Sequence, residues 1–156
     1  MLRDFVERNH IDFFQKFETW QEAIAGSCKR LIDEGVLDPE YVDEIIANVN
    51  EYGPYIIIAP NVAMPHSTLG GNHVHGTTIS FTKVEEPVVF DPDDESKNAR
   101  LFFTLAATSN EEHLANMIRL TEMLMIDGVI DELLEVNSVA DILSLAERIE
   151  KFEKEE

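Results

Sequence analysis

Met64-Pro65-His66 is the segment of this chain richest in chemistry. Proline holds the preceding residue extended and cannot donate to a sheet ladder. A strand entering it therefore ends there, and the imidazole emerges where the chain turns toward solvent. A histidine of ordinary pKa, ~6.5, is largely neutral at pH 7, and one ring nitrogen can then accept a phosphoryl or acyl group. The same pattern also describes a turn histidine bonded to nearby backbone. His113 bears on the choice. It follows Ser109-Asn-Glu-Glu112, a capping box, and so falls in the first turn of a helix. The positive helix end disfavours its protonation, and a neutral imidazole beside spare amides forms a donor set for an anion. Its alternative is a helix-surface residue packed beside Met117.

His73-Val-His75 is the rival constellation, because alternate residues of an extended chain point the same way and can share a metal with His66 or an acid. No HExxH or cysteine set accompanies it, so no native metal is expected. Ser67 and Ser80 lie in no nucleophile-elbow context, and the chain has no GxGxxG or Walker loop, so no nucleotide cofactor is expected either.

These residues need a scaffold to position them. Ile11 to Phe17 is a strand candidate. Thr19 with Glu22 caps a helix carrying Trp20, Ile24, Cys28, Leu31 and Ile32 inward as far as Gly35. Asp38 as N-cap and Pro39 at the first helical position open a second helix, with Tyr41, Ile45, Ile46 and Val49 inward and Gly53 as its C-cap. Tyr55–Ala59 and Asn61–Met64 are short buried strands broken at Pro60. After Gly70-Gly71, Thr77–Val84 alternates as a strand. Glu85–Asn98 reads as a solvated loop around an edge segment, Val88-Val-Phe90, and Leu101–Ala107 has a central-strand composition. The His113 helix turns Leu114, Met117, Ile118, Thr121, Leu124 and Met125 inward. Two more helices follow, about 128–135 and, capped by Ser138, 139–149. Paired early helices and a late helical run around strands predict a single three-layer α/β/α domain with a mixed β-sheet, spanning 1–156.

The 156 residues carry 12 Lys and Arg against 31 Asp and Glu, a net charge of −19. That charge repels phosphate backbones and anionic lipid, so nucleic acid and direct membrane contact are excluded and a protein partner with a basic patch is favoured. One cysteine and a charged N-terminus without an apolar run predict a cytoplasmic protein.

Three segments in order, Glu18–Ile24, Gly53–His66 and Leu105–His113, make the chain similar to the IIA component of the bacterial phosphoenolpyruvate-dependent sugar phosphotransferase system, in its mannitol/fructose superfamily and nearest the ascorbate-type branch. The resemblance implies that the histidine at His66 takes a phosphoryl group from the phosphocarrier HPr and passes it to a cysteine of the IIB component, which serves the membrane IIC component. It also makes His113 the second active-site histidine. Mannitol and fructose types carry an arginine where this chain has Asn50. Arg100 and Arg119 are candidate replacements, although the ascorbate type lacks that arginine and shares Gly53-Pro54-Tyr55. On a chain this acidic a phosphohistidine needs local donors, for which Ser67 and Asn61 are candidates. The loop Ser67–Asn72 contributes no charge. Two other readings remain: a phosphorylation-sensing regulatory module of the same fold, and a small histidine-based metal-binding protein.

Overall fold

The strand β5 (Asn98–Ala106) explains the architecture best, because it is apolar on both faces. Leu101, Phe103 and Leu105 join one buried cluster, while Phe102 and Ala106 join another. A strand buried on both sides needs a layer of cover on each. The computed structural model, which describes residues 1–67 and 72–155 with side chains as far as Lys151, supplies both layers. The described strands form one mixed sheet with β1 (Ile11–Phe14), β2 (Ile57–Ala59), β3 (Asn61–Ala63) and β4 (Thr78–Val89), in the order β1-β4-β5-β3-β2. The β1/β4 and β3/β5 pairs are parallel; β4/β5 and β2/β3 are antiparallel. Helices α2 (Trp20–Asp33) and α3 (Glu40–Tyr52) cover one face. Helices α1 (Leu2–Glu7), α4 (Asn110–Leu124), α5 (Val129–Glu135) and α6 (Val139–Glu155) cover the other. The three-layer α/β/α arrangement with a mixed sheet is therefore the observed fold.

The local signals hold at most helix ends. Thr19 Oγ1 accepts from Glu22 N at 3.1 Å, Ser109 Oγ accepts from Glu112 N at 3.1 Å, and Gly53 closes α3 at φ +82°. Four expectations need correction. The N-terminus forms α1, because Leu2 and Phe5 reach the cluster around Phe81, whose ring stacks on Phe5, and Phe103, whose ring tilts against it. Pro39 stands at the N-cap of α3 in place of Asp38, whose carboxylate is engaged elsewhere. Residues 85–89 are no loop: β4 runs straight through them, with its register against β5 shifting between Lys83 and Val88. Finally, α4 buries Asn116, Leu120, Met123 and Leu124, leaving Leu114, Ile118 and Met125 58%, 49% and 78% exposed. The apolar residues of α4 thus occupy two faces, and only one meets the sheet.

Lys83 is buried on β4, with its ammonium donating to the Val136 carbonyl at 2.6 Å. A cation at the C-terminal end of α5 is favourably placed. Cys28 is fully buried, and burial pushes its thiol up to about 12, so it is inert. Among the described residues no helix is long and apolar enough to cross a membrane. The Gly70-Gly71 break lies outside the described residues.

Candidate functional site

Because β3 and β5 run parallel, their C-terminal ends reach the same edge of the sheet, where loops converge and ligands are commonly bound. Past β3 the chain stays pinned: Met64 N donates to Ile56 O at 2.7 Å, and Leu105 N donates to Pro65 O at 3.0 Å. His66 is the first residue to leave the sheet. Past β5, Ser109 caps α4 within three residues and His113 follows one turn later. The two imidazoles thereby meet, with ring centroids 5.4 Å apart.

Nδ1 of His66 lies 2.6 Å from the Met64 carbonyl. A carbonyl only accepts, so Nδ1 carries the proton and Nε2, across the ring, keeps its lone pair. Burial lowers the His66 pKa, the Met64 carbonyl opposes that shift, and the nearby His113 adds to it. His113 is half-buried, and burial lowers its pKa as well. This shift runs in the same direction as the helix-end effect expected from sequence. Both rings are neutral at pH 7, which makes Nε2 a nucleophile beside a second imidazole able to donate a hydrogen bond.

Tyrosines hold this segment in place. The Tyr55 ring meets His66 edge-on at 5.2 Å, and its hydroxyl donates to the His66 carbonyl. Tyr41 reaches from α3 and donates to Leu105 O at 2.9 Å while accepting from Ser67 N at 3.1 Å. Ser67 Oγ donates to Glu44 Oε2 at 2.9 Å, so its hydroxyl faces α3. Tyr41, Glu44 and Tyr55 were not among the site residues expected from the sequence. The available signal was spacing, since Tyr41 and Glu44 sit at i and i+3 on the face of α3 that also buries Ile45 and Asn48.

Glu112 fixes the mouth of α4. Its carboxylate accepts from Thr108 Oγ1 at 2.6 Å and Thr77 Oγ1 at 2.9 Å, which ties the start of β4 to the cap of α4. Those hydroxyls, Thr108 foremost, hold its pKa below the ordinary carboxylate value. Two of the first-turn amides expected to be spare are occupied: Glu112 N by Ser109 Oγ, and His113 N by Ser109 O.

Other candidates lie away from the histidine pair. Asn61 takes φ +70° at the β2–β3 turn, a conformation asparagine tolerates, and pairs with Ala99 near the opposite end of β5 from Leu105. Its phosphoryl-stabilising role is withdrawn on that ground. Arg100 binds the Val84 and Glu85 carbonyls at the irregularity in β4, and Arg119 lies 3.7 Å from Asp4 of α1, so each is engaged with another part of the fold. Asn50 is exposed near the end of α3. His73 and His75 gather at the start of α3, around Asp38.

The fold and the pair define a class, an α/β domain presenting two neighbouring imidazoles at a sheet edge. Residues 4–148 match the family described as phosphoenolpyruvate-dependent sugar phosphotransferase system, EIIA 2, and the chain belongs to that family. It is 33% identical over 146 residues to the ascorbate-specific PTS system EIIA component of Mycoplasma pneumoniae, covering 92% of this chain and 90% of that one. The solution structure of the mannitol-specific cryptic phosphotransferase enzyme IIA from Escherichia coli superposes with TM-score 0.81 at 29% identity, over 94% of this chain and 98% of that one. The complex of enzyme IIA mannitol with phosphorylated enzyme IIB mannitol from Escherichia coli matches with TM-score 0.75 at 30% identity, over 87% and 92% of the respective chains. The chain is thus a EIIA component of a sugar phosphotransferase system, with ascorbate- and mannitol-type relatives, and its role is that of a phosphotransfer protein.

Proposed function

We infer that the whole chain acts as one IIA-type phosphocarrier in the cytoplasm and that His66 Nε2 is its phosphoryl acceptor. The observation that carries this reading is the Nδ1–Met64 contact of 2.6 Å, which leaves Nε2 as the nucleophilic nitrogen beside His113. In the first half-reaction Nε2 attacks the phosphorus of phospho-HPr. The N–P bond to the donor histidine breaks as the new one forms, and the donor imidazole departs with its electron pair. In the second, a cysteine thiolate of the IIB component attacks the same phosphorus and His66 leaves as neutral imidazole. The structure of a relative with phosphorylated IIB supports that partner. Little covalent work falls to the protein, so in-line positioning and stabilisation of the three equatorial oxygens dominate. His113 donates to those oxygens, and Ser67 does so by releasing Glu44. Neither nucleotide nor metal takes part in the transfer. Leu114 and Ile118, exposed on the helix that carries His113, offer an apolar surface to the donor or acceptor protein.

The ascorbate-specific relative supports service to a sugar acid, with sugar choice lying in the membrane component. The test is incubation with phosphoenolpyruvate, enzyme I and HPr, followed by mapping of acid-labile phosphate. Label on His66, lost in His66→Ala, is the expected result; label retained in His66→Ala refutes the assignment. Label that stays on the protein when IIB is added favours the regulatory reading.

A further inference from the structure

His73 and His75 stand in a frame rigid enough to be a site. Leu37 and Val74 form an antiparallel bridge and are both buried. On either side of it Asp38 N donates to His73 O at 2.9 Å and His75 N donates to Val36 O at 2.8 Å. Residues 73 and 75 flank the buried Val74, so their imidazoles project together, and Asp38 receives both. Its Oδ2 lies 3.2 Å from His73 Nδ1 and its Oδ1 lies 2.9 Å from His75 Nε2. Glu40, at the first turn of α3, completes the cluster: one donor atom each from Asp38, Glu40 and His73 fall within 4.8 Å of one another.

We propose that Asp38, Glu40 and His73 bind one divalent transition-metal ion of the zinc type, with His75 as an outer-shell partner that holds Asp38. A tetrahedral ion with bonds of ~2.0–2.2 Å spaces its ligands about 3.4 Å apart, close to the 3.2 Å between Asp38 Oδ2 and His73 Nδ1, and three protein ligands leave a fourth position for water. Two carboxylates match the ion's charge, and the imidazole nitrogen beside them favours zinc or cobalt over magnesium or calcium. A second shell is present as well. With the ion on His73 Nδ1, the opposite ring nitrogen faces Glu44 Oε1 at 3.5 Å, the carboxylate–histidine arrangement that orients metal-bound imidazoles. Glu44 also accepts from Ser67, so the ion braces the residue next to His66 without touching the phosphoryl group. The site is independent of the phosphocarrier reading and stands or falls by binding alone.

The experiment uses untagged protein freed of metal by chelator, titrated with cobalt(II) followed by visible absorption and with zinc(II) followed by calorimetry. One ion per chain is expected, with the intense cobalt spectrum of a four-coordinate site. Affinity should fall about a hundredfold in His73→Ala and about tenfold or more in His75→Ala and Glu44→Gln, the usual range for lost ligands and outer-shell partners. Asp38→Asn, which keeps a side-chain acceptor, should also bind weakly and guards against misfolding of the histidine variants. His66→Ala should bind as wild type. Absence of one-to-one binding, unchanged affinity in both His73→Ala and Asp38→Asn, or loss confined to His66→Ala overturns the proposal.

Discussion

The Met64 carbonyl and the His66 ring form a contact between residues two apart in the chain, and that contact selects the nitrogen that can react. With Nδ1 held at 2.6 Å from the carbonyl, phosphorylation should occur at Nε2. Nitrogen-15 NMR of histidine-labelled phosphoprotein distinguishes the two isomers. A phosphate on Nδ1 would require the ring to have abandoned Met64 and would contradict the geometry.

Tyr41 bridges Leu105 O and Ser67 N from a buried position, where burial pushes its phenol pKa up and keeps the proton on. Tyr41→Phe strands a buried carbonyl and an amide. Leaving such groups unpaired costs about 1–3 kcal/mol, so a loss of about 2 kcal/mol in urea unfolding is expected, together with slower transfer. Tyr55 is only partly buried and touches His66 directly, so Tyr55→Phe should reduce transfer more than stability. Equal stability losses in the two variants would remove this distinction.

His113 is half-buried and sits one turn into α4, so its removal should leave melting nearly unchanged. One donor to a developing anion is worth about 2.7–4 kcal/mol at shielded sites, and partial exposure places this one near the lower end, about a hundredfold in rate. His113→Gln retains an amide donor and should transfer faster than His113→Ala. Wild-type transfer by the alanine variant would make His113 structural.

Acceptance by His66 depends on a neutral ring, and burial lowers its pKa below the ordinary 6.5. An unshifted imidazole is half protonated at pH ~6.5. The acceptance rate of this protein should therefore still exceed half its plateau at that pH and decline only in more acid solution. The sign for stability follows. The unfolded chain protonates this histidine first as pH falls, so its contribution to stability is complete above about 6.5 and is lost on going from there down through the folded pKa. NMR titration of the His66 ring gives both quantities. A midpoint above 6.5 would mean that the neighbouring acids outweigh burial.

Leu114 and Ile118 bury little on α4, so the double replacement by serine should change stability by no more than about 0.5 kcal/mol. If the donor protein covers this face, the same variant should raise the KM for phospho-HPr while its His66 remains chemically competent. An unchanged KM with full activity would place the contact elsewhere on the edge.

Local physics was enough to read much of this protein from its sequence. Capping boxes at Thr19 and Ser109, glycine closing α3, and the proline that ends the strand before His66 act over a few residues, so they are written where they operate. The paired early helices and the late helical run around the strands likewise determined the layered α/β class, and the three ordered segments pointed to the family. Long-range pairing decided the rest. His66 and His113 meet because β3 and β5 are parallel neighbours, a relation between strands some forty residues apart. Asn61 fell away for the same reason, since a residue five positions from His66 in an extended chain lies at the other end of the ladder. The inward face of α4 was misassigned because apolar residues lie on two of its sides, and only packing against the sheet selects between them. Tyr41 and Glu44 became part of the site only when α3 was laid across the end of β5, and Tyr55 only when the segment after α3 brought its ring against His66. A hydroxyl or carboxylate gains its role from the backbone groups it reaches, and tertiary contacts alone bring those within 3 Å.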